Sequence, residues 1–254
     1  EKVFSNSVYL KLMQFKKYIW ALISLFYSYH LFAFINIESQ RENSKQGINT
    51  AGKIQFNQQT GNTDKILYSG SLFNSYKTEN QEYMAIGNIR YGESFDRKDT
   101  EDGNIHLRYT QKISGNHYAE MYTQYEYNNF KALTARRLYG LGYRFDTNFV
   151  KLGIGAFDEN EVVNPGEDQT AVRGNFYLSN SYKNKTGFEF AAIFYLQPSF
   201  RYGDDLRTTL NAGISQKINS TISMLIEYQN VYDQRPPTDI KNYDSSLLFG
   251  LSFN

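Results

Sequence analysis

From about Gly47 to its last residue, this chain alternates apolar and polar side chains with a period of two. In 242–254 one face carries Tyr243, Ser245, Leu247, Phe249, Leu251 and Phe253; the other carries Asp244, Ser246, Leu248, Gly250 and Ser252. In 187–197, Phe188, Phe190, Ala192, Phe194 and Leu196 stand against Glu189, Ala191, Ile193, Tyr195 and Gln197. In 104–113, Ile105, Leu107, Tyr109 and Ile113 oppose His106, Arg108, Thr110 and Lys112. Successive side chains of a strand point to opposite faces, so each run reads as a strand with one apolar and one polar face. No helical period competes over a useful window.

Roughly twelve such runs fill the segment: 48–58, 65–75, 82–94, 103–113, 117–128, 133–145, 149–158, 169–182, 187–197, 205–218, 221–232 and 242–254. Short turns are expected at 114–116, 146–148, 183–186 and 219–220, and longer links at 96–102, 159–168, 198–204 and 233–241, with a shorter exception near 128–132. Short turns on one side and longer loops on the other are the layout of a transmembrane antiparallel up-and-down β-barrel. A tilted strand crosses a bilayer in about 9–11 residues, which this spacing accommodates. The expected fold is therefore all-β, with about twelve strands. A β-solenoid would need a fixed sequence repeat, and none is present.

Composition narrows the reading. The chain has 254 residues, of which 22 are Tyr, 19 Phe and one Trp, yet its mean hydropathy is clearly polar. A bundle of membrane helices, which needs runs of about 20 apolar residues each, is excluded from this region. Lysine plus arginine (27) nearly equals aspartate plus glutamate (26), which argues against nucleic acid as a partner. Without cysteine there are no thiolate metal sites and no disulfides.

Lys16 and Lys17 precede an apolar stretch, 18–35, interrupted by Ser24, Ser28 and His30. That pattern fits a secretory signal peptide with Met13 as the natural start. The expected organisation is upstream residues plus signal peptide at 1–33, a polar lead-in at 34–47 and one barrel at 48–254.

In a barrel the apolar faces meet lipid, with Tyr and Phe near strand ends forming interfacial girdles. Tyr139, Leu141, Tyr143 and Phe145 share one such face; Ala119, Met121, Thr123, Tyr125 and Tyr127 share another. The opposite faces collect charges of both signs: Arg90, Arg108, Arg136, Arg144, Arg173 and Arg207, with Glu120, Glu126, Glu189, Glu227 and Asp244. An Arg or Lys facing hydrocarbon at the midplane costs about 2–4 kcal/mol, so these side chains are expected in the lumen. There they either line a polar conduit or pair with one another to fill it. Phe249, Leu251 and Phe253 form the terminal pattern expected to be read by the barrel-insertion machinery, although Asn254 follows them.

Signals of chemistry are weak. His106 falls on the inward face and His117 abuts a short turn; neither sits in a nucleophile motif. Asp96, Asp99, Glu101 and Asp102, or Asp158, Glu159 and Glu161, are acidic loop groups that suit solvation better than a divalent cation. Gly153 and Gly155 read as small residues allowing close approach within a strand, because no strand-to-helix transition follows them. No metal site, cofactor or catalytic residue is expected.

Gly61-Asn62-Thr63, the run Arg136-Arg137-Leu138-Tyr139-Gly140-Leu141-Gly142-Tyr143-Arg144-Phe145 and the strand from Leu152 to Glu161 come in a recognisable order. Tyr232-Asp233-Gln234-Arg235-Pro236-Pro237, then Asp244 and a closing aromatic strand, complete the series. Over most of residues 48–254 the chain resembles the salt-induced outer-membrane protein family, domain of unknown function 481. The resemblance implies a barrel in the outer membrane of a Gram-negative-type envelope and brings no reaction, substrate or catalytic residue. Pro236-Pro237 has its own meaning, since proline cannot donate to a ladder and so marks a rigid loop between the last two strands.

The leading expectation is a non-enzymatic outer-membrane barrel with both termini in the periplasm, acting as a narrow channel or as a structural, stress-related component. Its partners would be outer-membrane lipid and the insertion machinery. One rival is a barrel enzyme acting on lipid, which needs His106 near a Ser or Thr. The other is a soluble β-sandwich that binds ligand, with apolar residues packed between two sheets.

Overall fold

The structure is a computed structural model that describes residues 44–166 and 168–253. The signal peptide and most of the lead-in therefore lie outside the described residues. Twelve strands follow in order: β1 Gly47–Gln59, β2 Lys65–Lys77, β3 Gln81–Ser94, β4 Arg97–Ser114, β5 His117–Asn128, β6 Leu133–Asp146, β7 Lys151–Val163, β8 Gln169–Lys183, β9 Phe188–Pro198, β10 Leu206–Lys217, β11 Ile222–Asp233 and β12 Tyr243–Phe253. They form one sheet in the order β1 to β12, each strand antiparallel to its neighbour in sequence. No helix among the described residues is long and apolar enough to cross a membrane, which leaves crossing by strands open.

The sheet is rolled up. Tyr177 on β8 donates from its hydroxyl to Glu120 on β5 at 2.8 Å, and Arg207 on β10 donates to Glu159 on β7 at 2.7 Å. These strands are not ladder neighbours, so the sheet curls far enough for their side chains to meet over its inner face.

The pleat sorts the side chains as the alternation predicts. Leu72, Ile89, Leu107, Met121, Leu141, Ile154, Leu178 and Leu247 stand exposed on the outer face. Tyrosines gather at the strand ends: Tyr76, Tyr83 and Tyr109 run side by side over β2, β3 and β4, with ring centroids 6.5 and 4.9 Å apart. An apolar band edged by aromatics, around an interior holding buried Arg, Glu and Asp, is the inverse of a soluble sandwich. One rolled sheet with its apolar residues outside removes that rival.

Connections differ from expectation in an instructive way. Phe95 and Asp96, at φ 50° and 57°, make a two-residue hairpin turn, so the link expected at 96–102 is strand from Arg97 onward. Likewise β7 continues to Val163, which turns the first half of the expected 159–168 loop into strand. In both places the strand outruns the lipid-facing apolar band. Outside hydrocarbon the outer face no longer needs apolar side chains, so hydropathy stops alternating while pairing continues. The short-and-long rule holds late in the chain, where 199–205 and 234–242 exceed 184–187 and 218–221, and fails in the middle, where 95–96 and 129–132 are no longer than 115–116 and 147–150. We name the end of the barrel bearing 199–205 and 234–242 the loop end, and the opposite end, where β1 begins and β12 finishes, the turn end.

Candidate functional site

The interior near the loop end is held by one carboxylate. Glu159, projecting inward from β7, is 2% exposed. Its Oε1 accepts from Arg136 Nε on β6 at 2.6 Å and from Arg207 Nη1 on β10 at 2.7 Å. Its Oε2 accepts from Arg173 Nε on β8. Each guanidinium then finds further acids. Arg173 takes Asp205 in a two-bond fork at 2.9 and 2.7 Å. Arg207 forks onto Glu161 at 2.8 and 2.9 Å and reaches Asp233 at 2.8 Å. Arg136 also donates to Glu126 at 2.7 Å. Three guanidiniums thus face five carboxylates, and the bidentate geometry makes each link directional. At the same end, Arg90 pairs with Asp102 at 2.9 Å.

A second cluster lies toward the turn end. Arg144 contacts Glu120 at 2.9 Å and Asp146 at 2.8 Å, and its guanidinium sits over the Tyr118 ring, 4.4 Å from the centroid. Arg108 approaches Glu120 at 3.6 Å and covers Tyr122.

Aromatic and apolar groups fill the space between. Tyr122, Leu138 and Phe157 form one buried cluster; Tyr177, Ile193 and Tyr195 form another; Phe73, Met84 and Ile86 a third. Glycines make room for the large rings. Tyr122 lies opposite Gly140 in the β5–β6 ladder, and Tyr177 opposite Gly153 in the β7–β8 ladder. A Cβ at Gly140 would sit 2.2 Å from the Tyr122 ring, and one at Gly153 would sit 2.0 Å from the Tyr177 ring. At Gly155 the clash would be with backbone, 2.3 Å from the Leu141 carbonyl oxygen. Close approach is thus what these strand glycines permit.

The rest of the interior is different. Inward positions of β1, β11 and β12 carry Asn49, Gln55, Ser223, Gln229 and Ser246, all half-buried, with Leu225, Leu248 and Gly250 among them, and β2 changes along its length from half-buried Ser71 to buried Phe73 and Ser75. A Cβ at Gly250 would meet nothing within 4 Å, and one at Gly213 on β10 would meet only ordinary contacts at 3.9 and 4.0 Å.

At the mouth, the 3-10 turn Asn129–Lys131 joins β5 to β6, and Lys131 pairs with Asp244 on β12. Asn129 donates to Glu101 at 2.7 Å and Lys98 donates to it at 3.0 Å. These bonds, the Asn129 amide first, hold the Glu101 carboxyl below the usual range. Burial would raise Asp99, but hydrogen bonds from Ser94, Lys65 and Thr100 outweigh it and lower that carboxyl too. Both lie on the part of β4 that projects past the apolar band.

Arg108, Glu120, Arg136, Arg144, Arg173 and Arg207 enter the two clusters, and Glu126 joins through Arg136. Arg90 is half-buried on Asp102. Glu189 stands at the turn-end rim on Lys183 at 2.6 Å, Asp244 at the opposite rim, and Glu227 is exposed on β11. Phe249 and Leu251 face outward on β12. The expectation for Glu159 and Glu161 as solvated loop acids is overturned: β7 carries both inside, as the centre of the network. Asp205 and Asp233 were missed for a related reason, since each stands just where a strand gives way to loop. The signal that could have found Glu159 and Glu161 is their odd-numbered parity with Phe157 and Val163. His106 is buried, with Nδ1 3.0 Å from the Gln124 carboxamide oxygen. His117 is bonded to the Tyr143 hydroxyl on the surface. Among the described residues no group of three or more His, Asp or Glu is arranged to hold a metal ion.

The family model described as "Protein of unknown function, DUF481" matches residues 53–254. No curated protein matches the chain. One similar solved structure is titled "NanC porin structure in rhombohedral crystal form", at 15% identity and a TM-score of 0.46, covering 82% of this chain and 98% of that one. Another, titled "Unveiling the Mechanism Behind the in-meso Crystallization of Membrane Proteins", has 12% identity and a TM-score of 0.39, covering 82% and 83%.

Proposed function

The chain belongs to the DUF481 family, and from that premise we propose that it is a non-enzymatic outer-membrane barrel acting as a narrow channel. The observation that carries this reading is the division of the lumen. On the β3–β10 side, the buried Arg, Glu and Asp are hydrogen-bonded to one another, with the acids in excess at the loop end, and those bonds brace the wall. On the other side, inward Asn49, Gln55, Ser223, Gln229 and Ser246 are only half-buried and a Cβ at Gly250 would meet nothing within 4 Å, which is the room a constricted path needs. The exposed apolar band with its tyrosine edge supports placement in a bilayer. The non-enzymatic part of the reading is supported by His106, whose Nδ1 partner is a carboxamide; that group supplies no nucleophile.

Planar-bilayer recording of the purified, refolded chain tests the proposal. The expected result is a small steady conductance with weak ion preference, shifting toward anions in Glu227→Lys. A folded barrel that passes no steady current would refute the channel.

A further inference from the structure

The chain does not come into β1 from beyond the turn end. Ser44 lies three residues ahead of the strand, and an extended run would carry it about 10 Å clear of the sheet. Instead Ser44 is 8% exposed, and the hydroxyl of Ser75, on the inner face of β2, donates to its Oγ at 3.3 Å. Ser75 is the ladder partner of Asn49, and so lies inside the first pair, Gly47 with Lys77. Asn49, also inward, clasps the approach. Its Oδ1 accepts from the Lys45 amide at 2.9 Å, and its Nδ2 donates to the Lys45 carbonyl at 2.7 Å. Lys77 Nζ donates to the Ser44 carbonyl at 3.5 Å. Gly47, at φ 94°, takes a backbone conformation that side-chain-bearing residues rarely adopt, as the reversal requires. Followed toward the N-terminus, the backbone therefore turns at 45–47 and comes back over the inner face of β1 and β2.

Building on the narrow-channel reading above, we propose that the lumen holds the chain's own lead-in, residues 34–43, which enters over Ser75 and narrows the barrel from within. Length suits this role. Ten residues reach about 33 Å when extended, comparable to the ~30 Å hydrocarbon thickness that the strands must cross. Composition suits it too, since the lead-in ends Glu38-Ser39-Gln40-Arg41-Glu42-Asn43, polar throughout. The inner face offers it half-buried Gln55 and Ser71 beside Ser75. Carboxamides and hydroxyls both donate and accept, so they pair with any of these side chains. The apolar outer face would leave the same groups without partners, which is costly. Glu38, Arg41 and Glu42 carry both signs of charge, as does the interior around Arg108 and Glu120.

Thiol labelling and conductance together test the proposal. The chain has no cysteine, so a single introduced thiol reports its own surroundings. In the folded full chain, Gln40→Cys should react with a bulky polyethylene-glycol maleimide about tenfold more slowly than Lys45→Cys, which is exposed. The two should react alike once the chain is unfolded in urea. Deleting 34–43 should raise the steady conductance about twofold. Heat-modifiable migration in electrophoresis verifies folding of each variant. Labelling of Gln40→Cys as fast as Lys45→Cys in the folded barrel, or a measurable current unmoved by the deletion, would overturn the proposal. Protection of Gln40→Cys with no steady current from either form would leave the lead-in inside the barrel and overturn the channel reading alone.

Discussion

The wall from β3 to β10 and the wall formed by β1, β2, β11 and β12 share one alternation but use their inward positions differently. The first is filled: rings press onto Gly140 and Gly153, and Glu159 gathers three guanidiniums. In the second, the small inward side chains of β1, β11 and β12 are half-buried and a Cβ at Gly250 would meet nothing within 4 Å, while Phe73 and Ser75 bury part of the inner face of β2. The outer faces of both meet the same solvent, lipid on the channel reading, so they are alike. Inward residues answer to one another, and there the walls diverge. Pattern alone fixes a barrel; only the inward residues decide whether it is plugged or passable.

The sharpest way to break this comparison is at Glu159. Glu159→Gln strands three buried guanidiniums on fewer carboxylates and should cost about 3–5 kcal/mol, whereas Glu227→Gln should fall within about 0.5 kcal/mol of wild type. Urea unfolding in detergent measures both, and equal midpoints would erase the distinction between walls. A smaller contrast comes from the glycines. Gly153→Leu must displace the Tyr177 ring and should cost about 1–3 kcal/mol, while Gly250→Leu should be tolerated.

Next is Arg173→Lys, which keeps the charge but loses the fork onto Asp205. Stability should drop by about 1.5–3 kcal/mol, and the 199–205 loop, tied down through Asp205, should be nicked faster by protease. Unchanged cleavage there would mean the fork does not hold the loop.

The smallest effect concerns the projecting end of β4. Asp99 and Glu101 titrate lower in the folded protein than in the unfolded chain. Their contribution is therefore present above the unfolded carboxylate range, about pH 4, and is lost as pH falls through the folded values. Amide exchange at the β3–β4 turn should accelerate below that range in wild type and less so in an Asp99→Asn, Glu101→Gln double variant.

How much of this was legible in the sequence follows from where lipid ends. Within the apolar band the alternation gave all twelve strands, with ends such as His117–Asn128 matching the expected 117–128. Beyond the band it failed twice, at Arg97–Asp102 and at Glu159–Val163, because there a strand is marked by its ladder and not by its hydropathy. Glu159 was thereby placed in a loop. Arg136, Arg173 and Arg207 were recognised as inward, but their shared acid was not, since parity says which face a residue takes and not which strands will curl together. The reversal at 45–47, which lays Ser44 on Ser75, left no trace in the pattern at all; a polar lead-in is ordinary until its neighbours are known.

The Glu159 cluster also bears on the order of assembly. Every ladder joins strands consecutive in sequence, so hairpins can form locally and early. Glu159, however, draws its partners from Arg136, Arg173 and Arg207, residues on three strands of a five-strand stretch. A growing sheet that has reached β8 holds Glu161 with only its 3.3 Å contact to Arg136 and Arg173 with only Glu159, and both gain their two-bond forks when the chain reaches Asp205 and β10. The middle of this barrel therefore closes as one cooperative block, in a fold whose edges are free to add one hairpin at a time.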